Sequence, residues 1–345
     1  MTRILAPGRR RGEVTVPSSK SIAHRELVAA ALSGVEPPSI RGESNDTRAT
    51  RACLAAMMAG EANWPCGESG TTLRLLEPIA GVMGWKGEFV CEGRLGERPR
   101  MPFERKPRYV VPGNVSSQFV SGLLMALPLA DWDSEIVVEG RLQSAAYVGL
   151  TEDTLRASGI AFDRVESHRS AAFDGPRWRI PGRQRYRFPG GGVVEGDWSQ
   201  AAFFLAMGVE AKGLKADSHQ GDRAMTRLLA ALADAHQPSL MLDVSETPDL
   251  YPVLAAYAAA TNRDVAFTGT ERLRLKESDR LASTAALIAA VKAGRPVDTF
   301  GDHRIAMAAA VMACYASRPI TVNGAECVAK SYPGFWDDFD GLRLG

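Results

Sequence analysis

The chain has 345 residues, of which 45% are hydrophobic and 23% charged, and its formal net charge is +1. This length and composition are ordinary for a folded protein of about two domains. The near-zero charge argues against nucleic acid or an anionic membrane as the main partner. The five cysteines are scattered without a C-x-x-C pair, which is typical of a reducing compartment. The first residues form no apolar signal segment, so we expect a cytoplasmic protein.

In chain order, short strands rich in β-branched residues alternate with small helices rich in Ala and Leu. Strands are predicted at 12–16, 88–91, 136–139, 177–180, 264–267 and 320–322. Polar helix entrances are predicted at 19–21, 44–47, 68–71, 116–118, 147, 197–199, 221–223, 248–249, 276–279, 301–303 and 332–333. This alternation favours an α/β protein built from a repeated unit. The proline- and glycine-rich stretch 184–192 is the best linker between two halves.

The most informative entrance runs from Pro17 to Arg25, where three hydroxyls and two cations gather at the start of a helix that Gly34 ends. Ser21 and Arg25 are four residues apart and therefore share one face. A helix N-terminus presents unpaired N–H groups, and Lys20 and Arg25 add positive charge, so the segment predicts a phosphate or carboxylate site. Taken alone, an ordinary serine cap with solvated charges explains it equally well.

Other entrances in both halves also combine a hydroxyl or carboxylate with a cation. They are Asp46/Arg48, Ser69/Thr71/Arg74, Arg98, Ser116/Ser117/Gln118, Lys276/Glu277/Arg280, Asp302/His303/Arg304 and Lys330/Ser331. Together they predict helix N-termini that converge on small, multiply anionic ligands. The sequence has no P-loop, dinucleotide or zinc-protease motif, and its histidines lack metal-ligand spacing. We therefore expect no metal and no cofactor.

These motifs, taken in order, are similar to those of the enolpyruvyl transferases. They are PSSKSIAHR at 17–25, GESGTTLR at 67–74, ERP at 97–99, VSSQF at 115–119, VEGD at 194–197, LKESDR at 275–280, DHR at 302–304 and AKSYP at 329–333. The ordered set covers nearly the whole chain. Within the family it resembles the branch that acts on shikimate 3-phosphate.

The resemblance implies a two-domain α/β fold of repeated βαβαββ units, an inside-out α/β barrel, with a substrate cleft that closes on binding. Residues 14–190 would bind shikimate 3-phosphate, whereas 1–13 and 191–345 would carry most phosphoenolpyruvate-site and catalytic residues. The implied reaction moves the enolpyruvyl group of phosphoenolpyruvate onto the 5-hydroxyl of shikimate 3-phosphate and releases phosphate. We also expect a monomer, and inhibition by glyphosate, which mimics phosphoenolpyruvate in this family and should find room at Gly70.

The resemblance also assigns roles to individual residues. Substrate binding falls to Lys20, Ser21, Arg25, Gly70, Arg98, Ser116, Ser117, Gln118, Ser144, Tyr147, Asp249, Lys276, Arg280, Arg304 and Lys330. The chemistry demands two carboxylates, with Glu277 as the acid that protonates the methylene and Asp249 as the base at the 5-hydroxyl. Lys20 would help to organise proton transfer. Cationic neighbours favour an ionised Glu277, so burial would have to oppose them.

Judged from the residues alone, these assignments have simpler alternatives. Asp249 fits a helix cap that follows proline. Glu277 fits one member of a solvated charge run, and His303 fits a capping or core histidine. We interpret Asp46 as a cap and as the partner of Arg48.

The chain departs from the family pattern in three ways. Glu68 stands where an asparagine is common, and an anion pocket tolerates it only if a cation neutralises it. Arg272 replaces another common asparagine. The stretches 98–116, 222–249 and 277–302 are short, which we interpret as peripheral trimming. Two alternatives remain, a non-catalytic anion-binding remnant and a UDP-N-acetylglucosamine enolpyruvyl transferase, although the latter lacks the motifs at 19–25 and 329–333.

Overall fold

Helices and strands alternate along residues 1–165, 175–234 and 239–345, which the computed structural model of the protein describes. The strands are β1 (Thr2–Leu5), β2 (Arg10–Arg11), β3 (Glu13–Thr15), β4 (Asn63–Gly67), β5 (Glu88–Cys91), β6 (Arg108–Pro112), β7 (Ser134–Glu139), β8 (Asp163–Val165), β9 (Arg177–Ile180), β10 (Glu210–Lys212), β11 (Ser239–Asp243), β12 (Asp264–Thr268), β13 (Val297–Asp298), β14 (Ile320–Asn323) and β15 (Arg343–Leu344). The helices are α1 (Lys20–Ser33), α2 (Asn45–Met58), α3 (Gly70–Met83), α4 (Ser117–Ala126), α5 (Ala145–Ala157), α6 (Trp198–Met207), α7 (Met225–Ala233), α8 (Tyr251–Ala260), α9 (Arg280–Ala293), α10 (His303–Ala313) and α11 (Phe335–Gly341).

The chain divides into two compact units. Unit 1 comprises Met1–Ser19, Arg41–Ser44 and Glu195–Gly345, and unit 2 comprises Lys20–Ile40 and Asn45–Val194. The first boundary falls after residue 19 rather than after 13, because β3 pairs in parallel with β10 inside unit 1. The second falls after 194 rather than after 190, because Val193 forms a β-bridge with Ser39 inside unit 2.

Unit 2 contains a complete βαβαββ repeat. Elements β6, α4, β7, α5, β8 and β9 follow one another, and their sheet has the order β6-β7-β9-β8. Strands β6 and β7 are parallel across the α4 crossover, whereas β9 runs antiparallel to both of its neighbours. The rest of the unit comprises α1, α2 and β4-α3-β5, whose two strands form a parallel pair. The predicted repeat is therefore present, but its copies are unequal.

Unit 1 is built from shorter versions of the same repeat. Strands β11 and β12 form a parallel pair joined through α8. Strands β13 and β14 are parallel across α10, and β1 adds to β14 in antiparallel register. The short stretches noted in the sequence fit this loss of outer strands.

Each unit has a helix buried on nearly every face, and that helix begins with a polar motif. All residues of α10 are buried, as are all but one of α4. A helix that is apolar all round belongs in a core, and the many Ala residues of α10 let neighbouring helices approach closely. Apart from Ser121 in α4, only the first turn of each helix is polar, so the motifs at Asp302 and Ser116 lie where these core helices start.

Helix starts are fixed by side chains that accept backbone N–H bonds. Ser69, Ser116, Asp197, Asp279 and Asp302 each cap a helix in this way. Every predicted entrance lies at or beside the start of a helix or 3-10 turn, so that prediction is confirmed. None of the described helices is long and apolar enough to cross a membrane.

Candidate active site

In unit 1, the acidic and basic motif residues form one ion-pair cluster around Arg280. This first residue of α9 is 2% exposed. Its Nε donates to Asp302 at 2.8 Å and its Nη1 donates to Asp249 at 2.6 Å. Its Nη2 lies 3.7 Å from Glu277. Arg280, predicted to bind substrate, is therefore already held by three carboxylates.

Asp249 lies among three cations of the same unit. Besides Arg280, Nζ of Lys276 lies 3.3 Å from its Oδ1, and Nη2 of Arg304 lies 3.3 Å from its Oδ2. Arg304 also donates to the backbone oxygen of Asp249 at 3.1 Å and to Ser199 Oγ at 2.7 Å. The structure thus brings together four residues that the sequence placed in the site.

Glu277 faces His303, and each group affects the pKa of the other. Oε2 of Glu277 lies 2.7 Å from Nδ1 of His303. Burial alone would raise the pKa of Glu277, but the positive charge of His303, Arg280 and Lys330 outweighs it and holds that pKa well below its usual range. Burial lowers the pKa of His303, although Glu277 and Asp302 oppose that change. Burial therefore opposes the ionisation of Glu277, as expected, but the neighbouring positive charges have the larger effect on its pKa.

Lys276 has an unusual environment for a lysine. Burial lowers its pKa to about 8, with Asp249 opposing the change and Arg280, Arg272 and Arg304 adding to it. Arg272, which departs from the family pattern, thus favours a neutral Lys276. Lys330 lies in the same unit and is 9% exposed.

Glu277, Asp302 and His303 also present three ligand atoms within 4.8 Å of one another. A metal ion there would meet the guanidinium of Arg280, which already bonds Asp302 and lies 3.7 Å from Glu277. The arrangement fits an arginine better than a second cation, because like charges repel.

In unit 2, Arg25 is buried among neutral groups. It is 2% exposed, and its Nε donates to Thr151 Oγ1 at 2.7 Å. Its Nη1 donates to the backbone oxygen of Ser21 at 2.5 Å. Its Nη2 donates to the backbone oxygen of Tyr147 at 2.7 Å and to Ser121 Oγ at 3.3 Å. Burial lowers its pKa to about 10. Within the described ranges, no carboxylate forms an ion pair with it.

Lys20 and Asp46 form an ion pair at the starts of α1 and α2. Nζ of Lys20 lies 2.9 Å from Oδ2 of Asp46, whose side chain is 8% exposed. Arg48 instead donates to Asn45 Oδ1 at 2.9 Å. The structure thus corrects the expectation that Asp46 serves Arg48. The reason is geometric, because residues two apart in a helix point to different faces.

Gly70 begins α3 beneath two guanidinium groups. A Cβ atom at Gly70 would lie 3.1 Å from Nη1 of Arg74 and 3.1 Å from Nη1 of Arg98. Arg74 also donates to Gln118 Oε1 at 2.7 Å, and Gln118 donates to Thr71 Oγ1 at 2.8 Å. Nε of Arg98 is buried and has no hydrogen-bond partner in the described part of the chain. Positive charge is therefore concentrated next to Gly70, which has no side chain.

The remaining predicted residues of unit 2 lie at the starts of α4 and α5. Ser116 caps α4, and Ser117 beside it is 4% exposed. Ser144 precedes α5 with a left-handed backbone, φ 57°, and is 2% exposed. Tyr147 supplies the backbone oxygen that Arg25 bonds. Such a backbone conformation is uncommon outside glycine and often marks a functional position.

Glu68, two residues before Gly70, is exposed and lies against the 3-10 turn Gly93–Glu97. A Cβ atom at Gly93 would lie 2.5 Å from its Oε1. Solvent screens an exposed carboxylate, which reduces the cost of placing it beside an anion site.

Sequence reasoning missed the neutral partners of the buried cations. Ser121 and Thr151 bond Arg25, and Ser199 bonds Arg304. The available signal was a small hydroxyl residue inside an otherwise apolar helix, which is rarely placed there without a hydrogen-bond partner.

The fold and its polar, cation-bearing helix starts indicate the class of protein. Two solved EPSP synthases from Acinetobacter baumannii are similar in fold, with TM-scores of 0.72 and 0.73 at 20% and 19% sequence identity. The similarities cover 99% and 100% of this chain and 98% and 99% of the other chains. The protein therefore has the predicted α/β fold of an enolpyruvyl transferase.

Sequence comparison gives the family. A family model described as EPSP synthase (3-phosphoshikimate 1-carboxyvinyltransferase) matches residues 101–293 and 286–339. Relatives named 3-phosphoshikimate 1-carboxyvinyltransferase from Clostridium kluyveri and Clostridium perfringens are 34% and 32% identical, covering 97% and 98% of this chain and 96% and 97% of theirs. The chain belongs to the EPSP synthase family. The predicted enzyme class, a carboxyvinyl transferase of the shikimate pathway, is confirmed, and neither alternative is favoured.

Alignment with a relative also indicates that this chain is short for its family. The alignment with the Clostridium kluyveri relative spans 417 positions, whereas the whole chain has 345 residues, so at least 72 positions are gaps on this side. The chain nevertheless reaches across 96% of that relative. The missing residues are therefore internal to the shared length.

Proposed function

We propose that this chain moves the enolpyruvyl group of phosphoenolpyruvate onto the 5-hydroxyl of shikimate 3-phosphate with Glu277, Asp249 and Lys20 as its catalytic residues. The observation that carries the proposal is the presence of two carboxylates on one guanidinium. Asp249 and Glu277 lie 2.6 Å and 3.7 Å from nitrogens of Arg280. A shared arginine fixes both carboxylates, as proton transfer at two neighbouring substrate atoms requires.

The proton balance explains why two carboxylates are needed. Addition requires a proton at the methylene carbon of phosphoenolpyruvate and loss of a proton from the 5-hydroxyl, while a C–O bond forms. The product keeps a methylene group, so the added proton must leave again when the C–O bond to phosphate breaks. We assign both methylene steps to Glu277 and the hydroxyl step to Asp249. The same carboxyl group must therefore act first as an acid and then as a base.

The low pKa of Glu277 keeps its carboxylate ionised, which suits the second methylene step, the removal of a proton. For the first step, the donation of a proton, the charge of the bound substrates raises this pKa. Each substrate carries a carboxylate and a phosphate, about −2.5 to −3 charges near neutral pH. Binding this negative charge raises the pKa of a nearby carboxyl group and of its histidine neighbour. Nδ1 of His303 lies 2.7 Å from Oε2 of Glu277, so a change in the charge of either group alters the pKa of the other.

The proposal divides substrate binding between the cations of the two units. In unit 2, shikimate 3-phosphate would contact Lys20, Ser21, Arg25, Ser116, Ser117, Ser144 and Tyr147, with Gln118 near both substrates. Arg25 supports this division, since a buried guanidinium without a carboxylate partner among the described residues suits an incoming anion. Phosphoenolpyruvate would contact Gly70, Arg98, Arg280, Arg304 and Lys330, and Lys276 and Asp249 would contact shikimate 3-phosphate.

Phosphate release from the two substrates tests the proposal in the wild type and in Glu277→Gln. We expect turnover in the wild type and a loss of kcat of about 10³-fold in the variant, because general acid–base catalysis is worth 10²–10⁴-fold. Glu271→Gln is the matched control, since Glu271 is an exposed glutamate of the same unit. Calorimetry with shikimate 3-phosphate should show binding to both variants. Wild-type binding without phosphate release, or full activity of Glu277→Gln, would contradict the proposal.

Glyphosate inhibition, a monomeric state and a cytoplasmic location belong to the same proposal. The guanidinium groups of Arg74 and Arg98 beside Gly70 support glyphosate binding, because glyphosate carries a phosphonate and a carboxylate that guanidinium groups bind well. Competition between glyphosate and phosphoenolpyruvate in the phosphate assay tests the first point. Sedimentation equilibrium tests the second, and cell fractionation tests the third.

A further inference from the structure

A buried chain of hydrogen bonds crosses three helices of unit 2. Nδ1 of His24 in α1 lies 2.6 Å from Thr50 Oγ1 in α2. Thr50 Oγ1 lies 2.6 Å from Thr72 Oγ1 in α3, and Thr72 donates to Ser69 Oγ at 2.7 Å. All four residues are 0% exposed. Buried polar groups joined in this way are strongly interdependent, because each would be costly to bury alone.

The bond at one end fixes the direction of all the others. A hydroxyl has a single proton, and that of Thr72 goes to Ser69. The bond between Thr50 and Thr72 must then use the proton of Thr50, and the bond to His24 must use a ring proton on Nδ1. The alternative acceptor, the backbone oxygen of Asp46, is farther away, at 3.4 Å and 3.5 Å. Burial lowers the pKa of His24 to about 3, so the ring is neutral and has one proton to give.

Each end of the chain lies next to residues of the proposed substrate site. On α1, His24 adjoins Arg25 and is one helical turn from Lys20. On α3, Ser69 caps the helix whose first residue is Gly70 and whose next turn carries Arg74. In α2, Thr50 is four residues from Asp46, the ion-pair partner of Lys20. The chain therefore ties together three helix starts that carry the cations.

We propose that His24, Thr50, Thr72 and Ser69 form a positioning network that holds the starts of α1 and α3 in one fixed arrangement and thereby sets KM for both substrates. This inference rests on the proposed function and adds residues that touch neither substrate. A guanidinium displaced by a fraction of an ångström loses its bidentate fit to carboxylate or phosphate, which is why such indirect residues matter.

Removal of one hydroxyl in the middle of the network tests the inference. Thr50→Val keeps the shape of the side chain and interrupts the chain, whereas Thr50→Ser keeps the hydroxyl. We expect Thr50→Val to raise KM for both substrates about tenfold, with kcat changed less than about twofold, and Thr50→Ser to restore the wild-type values. A purely structural role would lower the amount of active enzyme, and hence the apparent kcat, without changing KM.

Thr154→Val is the matched control. Thr154 is a buried helical threonine of the same unit, and it lies outside the network. Its hydroxyl donates to the backbone oxygen of Leu150 at 2.9 Å. We expect this variant to unfold at a lower temperature with unchanged KM. Equal KM changes in Thr50→Val and Thr154→Val, or no rescue by Thr50→Ser, would overturn the inference.

A measurement on the wild type covers the case in which Thr50→Val does not fold. Nitrogen-15 NMR of labelled histidine reports which ring nitrogen of His24 carries the proton, and the network requires Nδ1. A proton on Nε2 would overturn the network as proposed. Failure of the inference and of the proposed function are distinguishable, because normal wild-type phosphate release with unaltered KM in Thr50→Val defeats only the inference. Absence of phosphate release in the wild type defeats the proposed function and the inference with it.

Discussion

Two arginines with equal burial have opposite surroundings. Arg25 in unit 2 and Arg280 in unit 1 are both 2% exposed. Arg25 bonds only hydroxyls and backbone oxygens within the described ranges, and burial lowers its pKa to about 10. Burial would also lower the pKa of Arg280, but Asp302, Asp249 and Glu277 raise it above its usual value.

The comparison separates two uses of a buried cation. Arg280 already has carboxylate partners within the protein, so within the fold it holds those carboxylates in place. Arg25 has hydrogen-bond partners but no counter-charge among the described residues, so an anionic substrate would complete its environment. The family resemblance implied the same role, substrate binding, for both residues.

The largest expected effect separates the two arginines by stability. Arg280→Met would leave Asp302, which is 0% exposed, without its main cation. Removing one partner of a buried ion pair costs about 3–5 kcal/mol, and we expect a fall in Tm on the order of 10 °C. Thermal unfolding followed by circular dichroism measures it. A Tm within a few degrees of wild type would show that Asp302 does not depend on Arg280.

Arg25→Met should have the reverse profile, with weak effects on stability and strong effects on binding. The hydroxyl of Thr151 can still bond Ser121 at 2.9 Å, so few groups lose all partners. We expect KM for shikimate 3-phosphate to rise about 100-fold, since a bond to a charged group is worth about 1.5–3 kcal/mol and the guanidinium makes more than one. Initial rates at varied shikimate 3-phosphate measure this. A change in Tm as large as that of Arg280→Met would erase the distinction between the two arginines.

Gly70→Ala should have a smaller and more selective effect. The new Cβ would lie 3.1 Å from Arg74 and Arg98, whose flexible ends must then shift by a few tenths of an ångström. We expect about a tenfold rise in KM for phosphoenolpyruvate and weaker inhibition by glyphosate, with little change for shikimate 3-phosphate. Gly96→Ala, in the turn before Arg98, is the control, because a Cβ there meets nothing within 4 Å. Equal effects of the two substitutions would refute this account of Gly70.

The smallest expected effect is a pH dependence in the unit 1 cluster. Lys276 is charged below its pKa of about 8 and neutral above it. Positive charge favours anionic substrates, so kcat/KM should fall as pH rises through about 8, by several-fold. Lys276→Arg keeps its charge and should shift this fall to higher pH. A wild-type profile that is flat to pH 9.5, or an unshifted profile in the variant, would argue against the role of Lys276.

Much of the fold could be predicted from the sequence because its signals are local. Caps such as Ser69, Ser116 and Asp302 bond backbone groups two or three residues away, so a short window contains the whole interaction. Strands were harder to predict. Strand β4 contains both Pro65 and Gly67, which sequence rules read as turn residues, and its pairing with β5 depends on contacts distant in sequence.

The residues of the candidate site could be predicted from the sequence, but the ion pairs between them could not. Resemblance named Asp249 and Glu277, yet only the structure shows that Arg280 joins them to Asp302. Asp46 was assigned to the nearby Arg48, whereas its partner is Lys20 on another helix. Side chains from different elements meet through packing, and their spacing along the chain has no simple relation to that packing.

The antiparallel pairing of β1 with β14 has a consequence for biosynthesis. Thr2 pairs with Asn323, so a strand synthesised before unit 2 must wait for a partner strand synthesised after it. Every segment of unit 2 is complete once Val194 has emerged, whereas unit 1 still lacks most of its length. Since domains fold as units during synthesis, unit 2, which contains Arg25, should fold first, and a ribosome stalled after Val194 has left its exit tunnel should display unit 2 folded.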